Sequence, residues 1–545
     1  MPTELQAAVS RIASVNPATG EVLGELDCAG PTEVRAAVAR ARAAQPGWNV
    51  WGIRNRVKVL RRFQSILLSR KSDVARRITQ EAGKPYVESL LTEVLVVLDA
   101  ARFLIENAYR LLRDERLPHG NLALKTKSGR VLHEPYGVIG IISPWNYPFS
   151  IPATEVMAAL VAGNSVVLKP SEFTPLIALE LQSLLREAGV PNDVFHVLPG
   201  EGAAGAALVQ SAIDKLVFTG SVGTGRRIAQ VAAERLLSVV LELGGKDPMI
   251  VLDDVDIDVA SSAAVWGAFV NVGQACLSVE RCYVHQKLYA AFVEACADKA
   301  RKLRVGNGTD SATDVGPLIS EQQVRVVEAH VADAVAKGAR VLAGGARLRE
   351  LGPTFFAPTV LADVNHSMRV MREETFGPVL PIAAFCDDDD AVRLANDCGY
   401  GLAASVWTRD RARGEACARQ IQAGTVMVND VLSCFSISEA PHGGVKASGL
   451  GRTHGRWGLE EMVRVKYIDS DWLPGMKKIW WFGYGGEFTR EMESFLDLIF
   501  ARPLRQKMNQ VGIIRTQTHQ RSRADHPPAT TLEYAAARMT EPSGR

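Results

Sequence analysis

A thiol, a carboxylate and a carboxamide stand out in this sequence. Cys276 sits in FVNVGQACLSVERCYV, Glu242 in LELGGKDP and Asn146 in SPWNYPF, the last two in Gly/Pro-rich turns. A cysteine alone reads as inert packing, because thiols are common core residues and only the thiolate is a strong nucleophile. In company, the three side chains supply a nucleophile, a base and an amide donor, which are the parts that acyl chemistry requires.

Two further segments offer ligand contacts. In DKLVFTGSVGTGRRIAQVAA, Gly220, Ser221, Gly223 and Gly225 lie between a strand pattern and a helix pattern. Backbone amides and the helix dipole at such a turn can receive a pyrophosphate. The spacing is not GxGxxG, and a plain tight turn is the alternative. VVLKPSE places Lys169 and Glu172 at the carboxyl end of a strand, where parallel sheets present a ligand crevice. Lys169 can donate to ribose hydroxyls and Glu172 can accept from them. Ser171 or Thr174 can cap the following helix, and the two readings are compatible. Cys282, six residues beyond Cys276, reads as a structural cysteine of the strand RCYVH rather than a redox partner. The run DDDD at 387–390 reads as a solvated helix start, since acids favour that end. Without HExxH or a comparable histidine cluster, no catalytic metal is expected.

These residues need a scaffold of some size. The chain has 545 residues and 59.0 kDa, enough for two or three domains of roughly 100–200 residues. It is 47% hydrophobic and 22% charged with a net charge of +2, which excludes the concentrated basic charge of a nucleic-acid binder. Eight cysteines without a CxxC pair suit a reducing compartment. The first residues lack the apolar core of a signal peptide, and no apolar run approaches the roughly 18 residues of a membrane span, so a cytoplasmic location is expected. Residues 31–115 carry helical periodicity, and 118–142 reads as short strands, LALKTK and RVLHEPYGVIGII. Strands and helices then alternate from NSVVLKP to SVVLELGG, and again over about 249–440. That alternation predicts α/β architecture with parallel sheets covered on both faces. The last 45 residues are polar, basic and Pro-containing, and are expected to be disordered.

SPWNYPF, VVLKPSE, FTGSVGTG, LELGGK, NVGQAC, EETFGPV and PHGGVKASGLGR occur in the order typical of the aldehyde dehydrogenase superfamily, which the chain resembles over about residues 15 to 470. The resemblance implies a Rossmann-like cofactor domain (1–117 and 136–245), an α/β catalytic domain (246–445) and a small strand flap for oligomerisation (118–135 and 462–471). It therefore implies a homodimer or homotetramer. It also implies NAD as cofactor, with NADP as the alternative. By the same resemblance Cys276 is the nucleophile that forms a thiohemiacetal and then a thioester. Asn146 and the Cys276 amide are the oxyanion donors, and Glu242 is the base for hydrolysis. Pro144, Trp145, Lys169, Glu172, Gly220, Ser221, Gly225, Glu374 and Phe376 match cofactor contacts. One departure concerns the proton path: Arg464 stands where a further glutamate is common, with Glu460 and Glu461 nearby.

Three other functions compete with aldehyde oxidation by hydrolysis. A CoA-acylating enzyme commonly lacks the glutamate that Glu242 matches, a silent homologue would have lost the nucleophile or base, and an esterase would use Cys276 without oxidation. The substrate reads as an apolar aldehyde, with a semialdehyde as the alternative. Beyond the motifs, WLPGMKKIWWFGYGGEF is rich in aromatics, and Phe488, Met492, Phe495 and Ile499 fall on one helical face. Basic residues follow at Arg502, Arg505, Lys507, Arg515, Arg521 and Arg523. Residues 472–523 thus fit either a peripheral membrane contact or packing on the protein itself.

Overall fold

A computed structural model describes residues 10–121, 124–478 and 480–500. The chain divides into two compact units, Met1–Ser470 and Asp471–Arg545.

The first unit is built on two mainly parallel sheets. One runs, in spatial order, Gly449–Leu450, Ser238–Glu242, Lys215–Thr219, Val138–Ile142, Ser165–Lys169 and Phe195–Val197. All neighbours are parallel except the short edge strand Gly449–Leu450. Its strands are buried nearly throughout, as the unbroken apolar runs predict for a sheet covered on both faces. The chain leaves Val138–Ile142 first to one side and later, through Lys215–Thr219, to the other. Ligands collect at the carboxyl ends of strands beside such a reversal. The second sheet runs Arg340–Ala343, Thr359–Ala362, Val379–Phe385, Val279–His285, Asp247–Val251, Ala403–Trp407 and Thr425–Val428. Here only the first pair is antiparallel.

The helical reading of 31–115 holds as Pro31–Val50, Gly52–Ser69, Lys71–Ala82, Tyr86–Ser89 and Leu95–Leu112, with a π-turn at Leu90–Val94. The strand reading of LALKTK does not hold where it is described. Leu124 to Thr126 form a turn, closed by the Leu124 amide on the Asn121 carbonyl, and Leu122 and Ala123 lie outside the described residues. The flap sheet instead runs Val463–Asp471, Lys127–Pro135 and Glu115–Leu117. Its third strand is exposed and polar, so the flap begins at 115 and not at 118. Apolar periodicity cannot find a strand that buries no face. The boundary at 445 also needs amending, because Gly449–Leu450 returns to the first sheet and pairs with Glu242 and Leu241.

In the second unit the helix Gly486–Phe500 follows a turn-rich aromatic segment. Phe488, Met492, Phe495 and Ile499 are half-buried, as their spacing predicts, and Tyr484 stacks on Phe488 at 6.2 Å between ring centroids. The six basic residues from Arg502 to Arg523, and the tail read as disordered, lie outside the described residues. Among the described residues no helix is long and apolar enough to cross a membrane.

Candidate active site

The carboxyl ends of the first sheet deliver most of the expected residues. Val138–Ile142 leads into Ser143–Asn146, Ser165–Lys169 into Glu172, Lys215–Thr219 into Gly220 and Ser221, and Ser238–Glu242 ends on Glu242 itself. Cys276 and Glu374 come instead from the turns that precede Val279–His285 and Val379–Phe385.

Asn146 is held from both ends. Its Nδ2 donates to the Gln274 carbonyl at 3.0 Å, which leaves a second amide hydrogen to point elsewhere. Its backbone carbonyl accepts from Lys84 Nζ at 2.8 Å and Asn271 Nδ2 at 2.9 Å. Lys84 pairs with Glu93 at 2.7 Å, both side chains fully buried. Glu93 also accepts from the amides of Phe149 and Ser150, at 2.9 and 2.8 Å, and so caps the central helix Ser150–Ala162. A buried ion pair costs desolvation unless its spare hydrogen bonds are used, as they are here. The Cys276 turn is fixed by left-handed backbone at Asn271, Val272 and Gly273, with φ of 50°, 54° and 74°. Two non-glycine residues in that region store strain that the surroundings must offset. The Asn271 amide donates to Glu88 at 2.9 Å. Glu93, Lys84 and Glu88 belong to no motif, and nothing in the sequence marked them.

Cys276 lines two sizeable cavities, besides a gap of about 20 Å³. One, of about 280 Å³, is also lined by Pro144, Trp145, Asn146, Gly220, Ser221, Glu242, Glu374 and Phe376. The other, of about 260 Å³, is lined by Leu91, Tyr147, Trp266, Leu277, Val431 and Phe435 among others. Burial pushes the Cys276 thiol well above its usual range, and Asp247, Glu374 and Glu242 push the same way. Burial also raises the Glu242 carboxyl well above the usual carboxylate range, with Glu155 adding to it and Arg452 opposing. Neither Glu242 oxygen has a hydrogen-bond partner. Burial thus biases both groups toward their neutral forms.

The 280 Å³ cavity gathers several of the residues expected to contact a dinucleotide. Trp145 meets Phe376 edge-on at 5.4 Å and Phe173 at 6.5 Å, forming an aromatic wall. Ser221 caps the helix Val222–Glu234, its hydroxyl accepting from the Thr224 amide at 3.4 Å, so free amides and the positive helix end face the cavity. Glu374 accepts from the Gly245 amide at 3.0 Å and is pushed up to about 8 by burial and by neighbouring Glu280. Glu280 fixes that loop by accepting from the Thr375 and Phe376 amides at 3.1 and 2.9 Å and pairing with Lys246. Lys169 and Glu172 pair at 3.2 Å beyond the lining of this cavity, with the Glu172 side chain 40% exposed. Gly225 departs from the expectation: it packs on Leu243, where a Cβ would come within 2.5 Å of Cδ2, and does not line the cavity. Its smallness serves helix–strand packing.

The residues weighed for the proton path are committed elsewhere. Arg464 is exposed, its guanidinium 5.7 Å from the Tyr136 ring centre, while Glu461 pairs with Lys215 at 2.6 Å and Glu460 with Arg456 at 2.5 Å. The helix Pro175–Ala188 is not capped by Ser171 or Thr174. Glu81 reaches over from another helix and accepts from the Leu176 and Ile177 amides at 2.9 and 2.7 Å. Cys282 is fully buried in Val279–His285, and Asp387 caps Asp388–Asn396, both as read from the sequence.

Comparison with known proteins gives the family of the chain. The model of the aldehyde dehydrogenase family matches residues 5–468. A 4,4'-diapolycopene aldehyde oxidase of Methylomonas is 39% identical, over 90% of this chain and 92% of its own. A putative NADP(+) succinate-semialdehyde dehydrogenase of Mycolicibacterium smegmatis is 41% identical, over 83% of this chain and 86% of its own. An NAD+ complex of an aldehyde dehydrogenase from Bacillus cereus superposes with a TM-score of 0.81 at 36% identity, covering 85% of this chain and 93% of that one. The chain belongs to the aldehyde dehydrogenase family and is an NAD(P)-dependent oxidoreductase that converts an aldehyde to a carboxylic acid.

Proposed function

We propose that this enzyme oxidises apolar, uncharged aldehydes with NAD, through a thioester on Cys276 that water hydrolyses. The observation that carries the substrate class is the cavity of about 260 Å³ at Cys276: among the described residues its lining includes no lysine, arginine or histidine, and its one charged residue is Asp430. A semialdehyde carboxylate would enter without a cation to pair it and would meet that acid. The relative named for a diapolycopene aldehyde points the same way.

The Cys276 thiol gives its proton to the Glu242 carboxylate as Sγ attacks the carbonyl carbon, and the charge that develops on oxygen is met by the spare Asn146 amide hydrogen and the Cys276 N–H. Lys169 and Glu172 would hold the adenine ribose, Gly220 and Ser221 the pyrophosphate, and Glu374 the nicotinamide ribose, with Trp145 and Phe376 against the ring. Bound there, the oxidised nicotinamide supplies the two-electron acceptor that turns thiohemiacetal into thioester. Glu242 then takes the proton of the attacking water, and Cys276 leaves as thiolate.

One assay tests substrate and cofactor choice together. Across linear aldehydes, kcat/KM rises about fourfold per methylene while the cavity fills, following about 0.8 kcal/mol per buried CH₂. Decanal outperforms succinate semialdehyde. NAD outperforms NADP on the order of tenfold or more, because the Glu172 carboxylate repels a 2′-phosphate and 1.4 kcal/mol is a factor of ten. A preference for succinate semialdehyde would overturn the cavity reading, and a preference for NADP the Glu172 reading.

Two finer readings complete the proposal. Among the described residues the mostly exposed strand Val463–Asp471 is an outer strand of the flap sheet, which a second copy would extend in a homodimer or homotetramer. A reduced nucleophile suits a cytoplasmic location, and residues 472–500 add a peripheral membrane contact. Trp472, Trp480, Trp481, Phe482 and Tyr484 are exposed there, and aromatic side chains of that kind favour the membrane–water boundary. The full chain co-sediments with anionic vesicles at low salt, and a chain ending at Asp471 stays in the supernatant. If both stay in the supernatant, the aromatic segment serves packing instead.

A further inference from the structure

Beside Glu242, sharing Ile151, Cys276 and Phe435 with the aldehyde cavity, lies a gap of about 20 Å³ whose polar lining includes Glu155, His442 and His454. It has room for one water. His442 Nε2 stands 3.8 Å from Glu242 Oε2. The two imidazoles lie 5.7 Å apart between ring centres, each edge-on to Phe435. Both Glu242 oxygens, Glu155 Oε2, His442 Nδ1 and His454 Nε2 are buried without a hydrogen-bond partner. So many orphaned polar atoms around one gap are costly unless water or function uses them.

The backbone holds this arrangement deliberately. His442 and Thr453 exchange amide hydrogen bonds of 2.8 Å in each direction, which sets the two histidines side by side. His454 then adopts φ 61° and ψ 161°, a region that a residue with a Cβ rarely enters. Its Nδ1 lies 3.0 Å from Thr453 Oγ1. His454 also lines a second cavity of about 30 Å³ on the side of the helix Leu95–Leu112, so it connects the two spaces.

We propose that His442 is a positioning residue for thioester hydrolysis: it takes the proton from Glu242 at Nε2, through one water in the gap, and releases one from Nδ1 toward His454. The proposal rests on Glu242 being the hydrolytic base. Glu242 must lose its proton before it can take one from water, and of the described groups around the gap His442 is the one placed to receive it. Arg452 has no lone pair. Glu155, one oxygen 3.2 Å from Thr219 Oγ1, is pushed up to about 8 by burial and holds its own proton at neutral pH. His442, lowered to about 3 by burial and by the nearby His454 and Arg452, is neutral and keeps a lone pair free. A weakly basic imidazole passes a proton on rather than storing it. No proton is consumed: one arrives at Nε2, one departs from Nδ1, and the ring changes tautomer. Among the described residues no three His, Cys, Asp or Glu side chains are placed to hold a metal, so this is not a metal site. The charged or titratable groups facing His442 are Glu242, His454 and Arg452, with Glu155 and Cys276 around the same gap.

His442→Gln, which keeps most of the shape, and His442→Phe test this in the full-length enzyme with NAD. The expected result is a full burst of one NADH per site, then steady turnover slowed by roughly 10²-fold. Added imidazole, and separately a rise in pH, restores the slow phase by offering another acceptor. The burst itself counts correctly folded sites. A His442→Phe/Glu242→Gln double variant is no slower than Glu242→Gln alone. Wild-type turnover in both single variants overturns the proposal. So does slowed turnover that neither imidazole nor pH relieves, which marks a packing role. Should Glu242→Gln itself turn over normally, the fault lies with Glu242 as base and not with the His442 relay alone.

Discussion

Cys276→Ala lowers aldehyde oxidation by on the order of 10⁴-fold or more, the scale on which removal of a nucleophile acts in a site that works as a unit. The loss is chemical and not structural. Cys276 is half-buried at the meeting of two cavities, so removing its sulfur opens space where space already exists. Melting temperature and NAD affinity stay close to those of the parent. Cys282→Ala has the opposite profile: that side chain is fully buried in a strand, and its loss leaves a small core void but near-normal turnover. Initial rates, NAD titration and thermal melts on both variants check the pair. Activity lost in the second alone would reassign the nucleophile. Because burial raises the Cys276 thiol, the thiolate fraction grows with pH. Inactivation of the enzyme by iodoacetamide therefore accelerates steadily from neutral to alkaline pH.

Glu242→Gln has the second largest effect. The amide is nearly isosteric and cannot take a proton, so attack by Cys276 survives while hydrolysis slows by roughly 10²–10⁴-fold. Mixing the variant with NAD and aldehyde gives one equivalent of NADH and then stalls. Intact mass shows the acyl group added to the protein, and peptide mapping places it on Cys276. The parent enzyme also has a predictable pH profile. Glu242 is raised by burial and by Glu155, so its base form appears only as pH climbs above the ordinary carboxylate range. Steady turnover rises with pH through that window, and the Gln variant loses this limb. Normal turnover in the variant would mean that water is activated elsewhere. A gain of turnover on adding CoA to the parent would point to acyl transfer in place of hydrolysis.

Much of this was legible in the linear chain. Strand–helix alternation specified two mainly parallel sheets, because a strand buried on both faces is apolar through its middle, as at Val166, Val167 and Leu168. Cys276, Glu242 and Asn146 stood out as candidates because each sits in or beside a turn of restricted composition, after a strand for Asn146 and Glu242 and before one for Cys276, and Glu374 stood out through the family resemblance. Local signals also placed the acidic start of Asp388–Asn396 and the apolar face of Gly486–Phe500.

What the sequence alone could not decide depends on contacts between residues far apart in the chain. Glu81 caps a helix 95 positions away, Glu93 does so 56 positions away, and Glu280 fixes a loop 96 positions away. No local pattern distinguishes these buried carboxylates from ordinary surface acids. Gly225 looked like a ligand turn, and only the fold showed Leu243 pressed against it. The exposed strand Glu115–Leu117 has no buried face to leave a period, so only its pairing with Lys127–Pro135 reveals it. His442 and His454 are unremarkable in sequence; an antiparallel bridge turns both toward Glu242's side of the site. The sequence by itself named the candidate groups for the chemistry, since reactivity begins with residue type. The tertiary structure decided their protonation and aim, because burial and long-range hydrogen bonds set both.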